Sequence, residues 1–581
     1  TDKGAFYAPK EIVQYMCRES LIAYLQTDEK EDAVKSQIRE FVTKNNAEDL
    51  SADLTASINQ KLKAVKICDP AIGSGAFPMG LMKELYLCRS AIEGFDGKNA
   101  AEIKKHIIQQ NIYGVDIEKG AVDIARLRFW LSLVLDEETP HALPNLDFKI
   151  MQGNSLLEQY EGVELSGMSL NEQKKRKTKK GDAYQTNIVY EEKDALENIQ
   201  KTIKQYYLTD NHENKKILRK TIDDNVKDYI LKLKGCTEDI MRKLESLPIP
   251  NDQFFLWHIY FKEVFDKGGF DIVIGNPPYI QLQADNGILG DIYKNGGFET
   301  YARTGDIYCL FYEHGYRLLK EHGHLCYITS NKWMRAGYGE KTRGFFANNT
   351  NPKLLIDFAG VKIFESATVD TNILLFSREE NAKQTICAVT NKENKDCIKE
   401  LSGFVQQHHT VDSFSSSDSW VILSEIEQSI KHKIERIGTP LKDWDIQINY
   451  GLKTGYNDAF IIKSDVRERI LANCQTEDER KRTAEIIRPI LRGRDIKKYG
   501  YDWADLWLIW VPWHFPLHFD ESIQGASVIA EDKFRNEYPS VYAHLSLYKK
   551  QLSARNKAET GIRYEWYALQ RWGAKYWDDF S

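Results

Sequence analysis

The sequence is poor in the signatures that announce metal, redox or nucleotide-triphosphate chemistry. Its nine cysteines include no Cys-x-x-Cys pair, so no dithiol or zinc-ribbon spacing is encoded, and free thiols fit a reducing cytoplasm. There is no His-Glu-x-x-His stretch, the spacing that sets two zinc ligands on one helix face. No metal site is expected. The one Gly-Lys pair, Gly97-Lys98, is followed by Asn99, so the Lys-Ser/Thr ending of a phosphate-binding loop is missing. No run is long and apolar enough to span a bilayer, and no leader pattern opens the chain. An excess of positive charge is also missing. The 79 Lys and Arg are outnumbered by 85 Asp and Glu, for a net charge of -6. Attraction to a polyanion must therefore come from local patches. Thr1 is not a start methionine, so a processed chain or a fragment is expected.

What is present is enough chain for two or three cores, 581 residues. Two short stretches organise it. Val65-Lys66-Ile67-Cys68 reads as a buried parallel strand. It runs into Asp69-Pro70-Ala71-Ile72-Gly73-Ser74-Gly75-Ala76-Phe77, where the glycines permit a tight turn and close approach of a ligand to backbone. A helix over 77–88 follows. Strand, Gly-rich turn and helix place a ligand at the carboxyl end of a strand in an open α/β sheet. The spacing is not that of a dinucleotide fingerprint. Residues 111–117 form a second apolar strand ending in Asp116, an acid placed to accept the hydroxyls of a ribose. A helix over 121–135 comes next.

The second stretch is Asn276-Pro277-Pro278-Tyr279, at the end of the strand 269–275. Two prolines fix φ and donate no N–H, which leaves the Asn276 and Pro277 carbonyls as outward acceptors beside the Asn276 amide. An amine donating to such acceptors keeps its lone pair out of ring conjugation and becomes a better nucleophile. Tyr279 offers a flat face on which its ring can stack.

In these motifs the chain resembles the N6-adenine DNA methyltransferases, and among them the large type IIG restriction-modification enzymes. Lys3-Gly4-Ala5-Phe6-Tyr7-Ala8-Pro9 resembles their N-terminal motif, with Ala8 where Thr is usual. Asp69 to Phe77 is similar to their S-adenosylmethionine loop, Asp116 to their ribose-binding acid, and Asn276 to Tyr279 to their catalytic motif. Gly153-Asn154-Ser155-Leu156 resembles the motif that meets the cofactor adenine, with Asn154 where many relatives have Asp. The resemblance implies an α/β fold: a Rossmann-like S-adenosylmethionine-dependent methyltransferase sheet with a helical insertion, followed by an α+β target-recognition domain. It implies cofactor contacts from Phe6, Tyr7, Pro9, Asp69, Pro70, Ala71, Gly73, Ser74, Gly75, Phe77, Asp116, Ile117, Asn154, Ser155 and Asp306. Asn276, Pro277, Pro278 and Tyr279 are the expected catalytic set, with Tyr279 and Phe364 against the substrate base.

Along the chain, residues 1–64 are expected as a helical segment capping the cofactor site, with a polar surface excursion over 28–64. Residues 65–385 are the expected methyltransferase domain. Its charged helical insertion, about 158–246, holds the run Lys174-Lys175-Arg176-Lys177-Thr178-Lys179-Lys180, a solvated segment or a phosphate-binding arm. Residues 386–581 are expected as a DNA target-recognition domain that continues past Ser581, with Ser413 to Ser419 a linker or loop. Two stretches there, 448–457 and 487–496, resemble the family's recognition domain. From Lys481 to Gly500 seven Lys or Arg face two acids. Arg488, Arg492, Arg494, Lys497 and Lys498 are the expected DNA contacts, interleaved with tryptophans at 503, 507, 510, 513, 566, 572 and 577.

The expected reaction is methyl transfer from S-adenosylmethionine to adenine N6 in duplex DNA, after base flipping and by direct in-line attack. No Pro-Cys pair is present, so the nucleophile of a cytosine C5 methyltransferase is missing. Enzymes that methylate a glutamine amide or RNA share the clamp, but are typically small and lack a basic, aromatic-rich second domain. A DNA-binding specificity component, or a bifunctional restriction endonuclease whose nuclease domain lies outside this chain, are the other readings.

Overall fold

The structure is a computed structural model. It describes residues 7–94, 97–134, 145–165, 183–209, 211–233, 236–248, 251–284, 287–364, 369–390, 392–446, 451–555 and 564–572. The basic run 174–180, Phe6, Trp577 and residues 448–450 lie outside that set. The chain divides into two compact units, Thr1–Lys433 and Ile434–Ser581.

The first unit opens with three helices, α1 (Lys10–Leu25), α2 (Asp32–Lys44) and α3 (Ala52–Ala64). The sheet begins with β1 (Ile67–Asp69), α4 (Ala76–Glu93), α5 (Gly97–His106), β2 (Ile112–Asp116), α6 (Lys119–Val134) and β3 (Ile150–Gln152). The insertion follows as α7 (Ala183–Leu208), α8 (His212–Leu231) and α9 (Glu238–Ser246). The sheet resumes with β4 (Phe270–Gly275), α10 (Ile288–Lys294), α11 (Ile307–Leu318) and β5 (Leu319–Ser330). It closes with α12 (Glu340–Asn349), β6 (Asn351–Asp357), β7 (Thr371–Ser377), β8 (Thr385–Val389), α13 (Leu401–His408) and β9 (Thr410–Asp412).

Among the described residues nine strands form one sheet in the order β9-β8-β6-β7-β5-β4-β1-β2-β3. From β3 to β5 every pairing is parallel. β7 runs antiparallel to both of its neighbours, β5 and β6. This is the expected open α/β sheet. The strand order reverses between β1 and β4. In an open α/β sheet, that reversal opens a crevice at the carboxyl ends of the strands.

Side-chain alternation across the strands sorts the core into two layers. Ile67, Ile112, Ile150, Ile272 and Ile274 face α1, α4 and α6. Cys68, Tyr113, Val115, Met151 and Val273 face the opposite layer. The helices of the insertion complete that second layer through Ile199, Ile203, Tyr206, Ile222, Val226 and Tyr229. The charged insertion is thus an amphipathic cover with one apolar stripe. The excursion over 28–64 is likewise one-sided, burying Ile38, Phe41, Val42, Ile58 and Leu62.

The boundary expected at 386 falls inside β8, where Ile386 pairs with Leu354, so the sheet runs on past it. Ser413 to Ser419, expected as a linker or loop, is a loop held against the first unit. The Ser417 carbonyl accepts from Arg343 Nε at 2.8 Å, and Trp420 stacks on Phe414 with ring centroids 4.4 Å apart.

The second unit has a three-stranded antiparallel sheet in the order β10 (Ile461–Ile462), β14 (Trp507–Ile509), β11 (Ile487–Pro489). A separate hairpin pairs β12 (Ile496–Lys497) with β13 (Gly500–Tyr501). Its core gathers Phe460, Ile487, Ile509, Val511, Phe534 and Tyr567. Among the described residues no helix is long and apolar enough to cross a membrane, and no cluster of His, Cys, Asp and Glu could hold a metal.

Candidate active site

Asp69 ends β1 at the point where the strand order reverses. The loop after it folds back onto β2. Ile72 N donates to Val115 O at 3.0 Å and Gly75 N to Ile72 O at 2.8 Å. Gly73 (φ 52°) and Gly75 (φ 82°) both lie in the left-handed region, which costs a side-chain-bearing residue and costs glycine little. Gly75 caps α4 and sits against α6, where an added Cβ would stand 3.3 Å from Ala125 Cβ. Arg128, also on α6, donates to Ser74 O at 2.8 Å. Nothing in the sequence near the loop pointed to that cation.

The Asp69 carboxyl is 1 % exposed and accepts from Ala71 N at 3.0 Å. Burial pushes its pKa well above the ordinary carboxylate range; the Ala71 N–H opposes this and the Asp116 charge adds to it. The same carboxyl lies against the strand that carries the clamp. A Cβ at Gly275 would come within 2.7 Å of Asp69 Oδ1. Gly275, directly before the clamp, therefore leaves the room that the Asp69 carboxyl occupies.

Asp116 accepts from Gly73 N at 2.8 Å and from Glu118 N at 2.9 Å. In this structure it pins the loop, and a carboxylate has about four acceptor sites, enough to serve a ligand as well. Ile117 beside it is half exposed. Gly153 N donates to Asp116 O at 2.9 Å, and Ser155 Oγ donates to Pro70 O, so the third motif is tied to the first two. Buried Asn154 accepts from Leu156 N at 3.2 Å through Oδ1 and donates through Nδ2 to the Tyr293 hydroxyl at 3.1 Å. Tyr293 lies on α10, and the sequence reading missed it because 139 positions separate the pair.

At the clamp Pro277 is buried, while Asn276, Pro278 and Tyr279 are partly exposed. The Tyr279 hydroxyl donates to Ile328 O at 3.2 Å, and burial raises its pKa well above the ordinary phenol value. Its ring meets Tyr308 and Phe364 edge-on, at 5.8 and 5.9 Å between centroids. Phe364 is a core residue, 1 % exposed, set beside the clamp tyrosine. Asp306 is buried and bridges back to Gln281. Its Oδ2 accepts from the Tyr338 hydroxyl at 2.8 Å, and Tyr338 in turn shares a hydrogen bond of 2.8 Å with Tyr308. Tyr308 stands two positions after Asp306 and was given no role from sequence, and Tyr338 lies outside the quoted motifs.

The N-terminal motif is less closely tied to this edge. Tyr7 is 80 % exposed. Pro9 caps α1 and accepts from Val13 N at 3.0 Å. Phe77 is buried in α4, its carbonyl accepting from Cys17 Sγ on α1 at 3.5 Å.

The expected DNA contacts all lie in the second unit. Arg492 is engaged by Asp495, through Nε at 2.9 Å and Nη2 at 2.9 Å. Arg488 Nε donates to Glu485 O at 3.2 Å. Arg494, Lys497 and Lys498 are exposed. Most of the tryptophans do not line a face. Trp510 is buried, and Trp507 and Trp513 donate to Ser464 Oγ and Leu569 O. They are core or half-buried groups with satisfied N–H donors.

The family model described as Eco57I restriction-modification methylase matches residues 110–364. The chain is 25 % identical over 508 residues to the Methanocaldococcus jannaschii protein named RM.MjaORFECS2P, which covers 74 % of this chain and 41 % of that protein. It is 25 % identical over 317 residues to the type II restriction enzyme and methyltransferase RM.Eco57I of Escherichia coli, covering 52 % and 31 %. It is 23 % identical over 360 residues to the adenine-specific methyltransferase BrxX of Escherichia coli, covering 59 % and 28 %. The chain thus spans well under half the length of each of these relatives.

Proposed function

We propose that this chain, which carries a restriction-modification methylase domain, transfers a methyl group from S-adenosylmethionine to the N6 of adenine in duplex DNA. The observation that carries the reading is the close approach of the strand ends that lead into the two organising stretches. Asp69 at the end of β1 and Gly275, directly before Asn276, meet at the strand-order reversal. A cofactor loop and an amine clamp there share one crevice.

The residues fit the cofactor. S-adenosylmethionine carries an ammonium and a sulfonium, a ribose diol and an adenine. Against these the site sets a buried carboxyl at Asp69, a second carboxylate at Asp116, the Gly73–Gly75 turn and an amide at Asn154. Placing a cation beside Asp69 restores the charged form that burial disfavours. When bound, the cofactor supplies an electrophilic methyl carbon.

The chain's own residues bind and orient. The target adenine leaves the duplex stack at a cost of a few kcal/mol. Its ring stacks on Tyr279, which Tyr308 and Phe364 buttress edge-on. Asn276 and the Pro277 carbonyl accept from N6 and aim its lone pair at the methyl carbon. Holding the two reactants in line supplies most of the acceleration. The name of BrxX supports adenine as the acceptor. The name of RM.Eco57I, of which this chain spans 31 %, supports a nuclease in the full-length protein. The second unit, with its exposed cations, is the target-recognition domain in this reading.

Asn276→Ala tests the clamp. The variant binds S-adenosylmethionine as the wild type does by titration calorimetry. Its transfer of labelled methyl to mixed duplex DNA falls by about two orders of magnitude or more. Transfer at the wild-type rate sinks the assignment.

A further inference from the structure

The second unit carries a feature that its own core does not explain. The hairpin of Ile496–Lys497 and Gly500–Tyr501 pairs Ile496 with Tyr501 and Lys497 with Gly500, which leaves Lys498 and Tyr499 as its two-residue tip. Among the described residues it belongs to no larger sheet. Ile496 is 60 % exposed, Tyr499 91 % and Tyr501 66 %. A two-stranded hairpin is marginal in water on its own, and large apolar groups grouped on a surface mark a binding site.

The base of the hairpin is built to be rigid. Arg492 and Asp495 join through two side-chain bonds, and Arg492 N adds a third at 2.8 Å. Asp502 N donates to Asp495 O at 2.8 Å and closes the stem. The charge left on show is positive. Asp495 is taken up by Arg492, Lys497 lies 3.5 Å from exposed Asp502, and Arg494 and Lys498 are exposed. Lys498 Nζ lies 5.2 Å from the centre of the Tyr499 ring, so cation and aromatic project together.

We propose that this hairpin is a two-stranded ribbon that enters a groove of duplex DNA, with Lys497, Lys498 and Arg494 on phosphates and Tyr499 and Tyr501 against base edges. The proposal rests on the target-recognition reading of the second unit and deepens it. Arg492, expected as a DNA contact, serves as stem support instead. Charge complementarity selects the partner, since a ribbon rimmed by cations suits a polyanion. The major groove, roughly 12 Å wide, admits a two-stranded ribbon. Cations on phosphates add affinity regardless of sequence, whereas tyrosines on base edges discriminate.

The test uses the whole chain. Duplexes that it retains are selected from a random pool, and their binding is followed by fluorescence anisotropy at several salt concentrations. Lys497→Ala with Lys498→Ala weakens binding to selected and unselected duplexes alike, and flattens the slope of log affinity against log salt by about one to two units. Tyr499→Ser lowers affinity for the selected duplex about tenfold, leaving the unselected duplex and the salt slope unchanged. All these residues are exposed, so melting temperatures stay at the wild-type value. Wild-type binding by both variants overturns the hairpin proposal alone. Failure of the wild type to bind any duplex overturns the target-recognition reading and the hairpin with it. If the tyrosines instead mediate pairing of two chains, Tyr499→Ser turns a sedimenting dimer into a monomer with unaltered DNA binding, which also overturns the proposal.

Discussion

Asp69 is a carboxylic acid in a place that disfavours its charge, and the cause is stated by its surroundings. Burial raises its pKa most, the Ala71 N–H lowers it, and the Asp116 carboxylate raises it further. Its folded-state pKa lies above the unfolded value of about 3.9. The folded state therefore holds the proton more tightly. That contribution to stability is present in full below the unfolded pKa and is lost as pH rises through the folded pKa. Asp69→Asn keeps the acceptor for Ala71 N and removes the titration. The unliganded variant melts a few degrees above the wild type at pH 8, and the difference shrinks as pH falls toward 4. The same variant binds S-adenosylmethionine more weakly, because the counter-charge for a cationic ligand is gone. A thermal melt across a pH series checks the first outcome and calorimetry the second. Equal melting at every pH contradicts this account of Asp69. The identities of Asp69, Asp116, Asn154 and Asn276 were legible in the chain, since each follows an apolar strand. Their partners were not. Tyr293 and Arg128 reach the site from 139 and 54 positions away, and local pattern carries no information on such pairs.

The loop after β1 works as an element because its neighbours leave it room. Gly114 in β2 faces Ile72, and an added Cβ would stand 2.3 Å from Ile72 Cδ1 and 3.1 Å from Ile72 Cβ. Ile72 is buried, and its N–H is committed to Val115 O, so it has little space to retreat. Gly114→Ala shifts the turn that presents Gly73 and Gly75. Overpacking of this kind typically costs 1–3 kcal/mol, which weakens cofactor binding by about tenfold. Adding Ile72→Val, which removes the clashing methyl, recovers most of that loss in calorimetry. Wild-type affinity in the single variant contradicts the packing argument. The strands next to the motifs were readable from their apolar runs. Strands β6, β8 and β9 went unread, and of these β8 and β9 are short and lie on the margin of the sheet. In β8, Ile386 and Val389 face out, so its pattern does not announce a core strand.

At the scale of the molecule, the main architectural difference from expectation is where the first unit ends. The composition shift near 386 marks a change from long apolar strands to short mixed ones, and the sheet simply continues through them to Asp412. The two compact units divide between Lys433 and Ile434, within the helix Glu425–Ile437. Composition likewise misled on the tryptophans. Aromatic density beside basic residues suits a binding face, but it equally suits the core of a small unit with few strands. Trp510 and its neighbours Val511 and Phe515 took that course.

The central claim joins the first unit's clamp to one product, and one measurement tests it most directly. The chain is incubated with methyl-labelled S-adenosylmethionine and mixed duplex DNA, and the DNA is digested to nucleosides and separated. The account predicts label in N6-methyladenosine of the deoxy series, absent when Asn276→Ala replaces the wild type. Label in a methylated cytosine, or DNA left unlabelled by a chain that holds the cofactor, would contradict it.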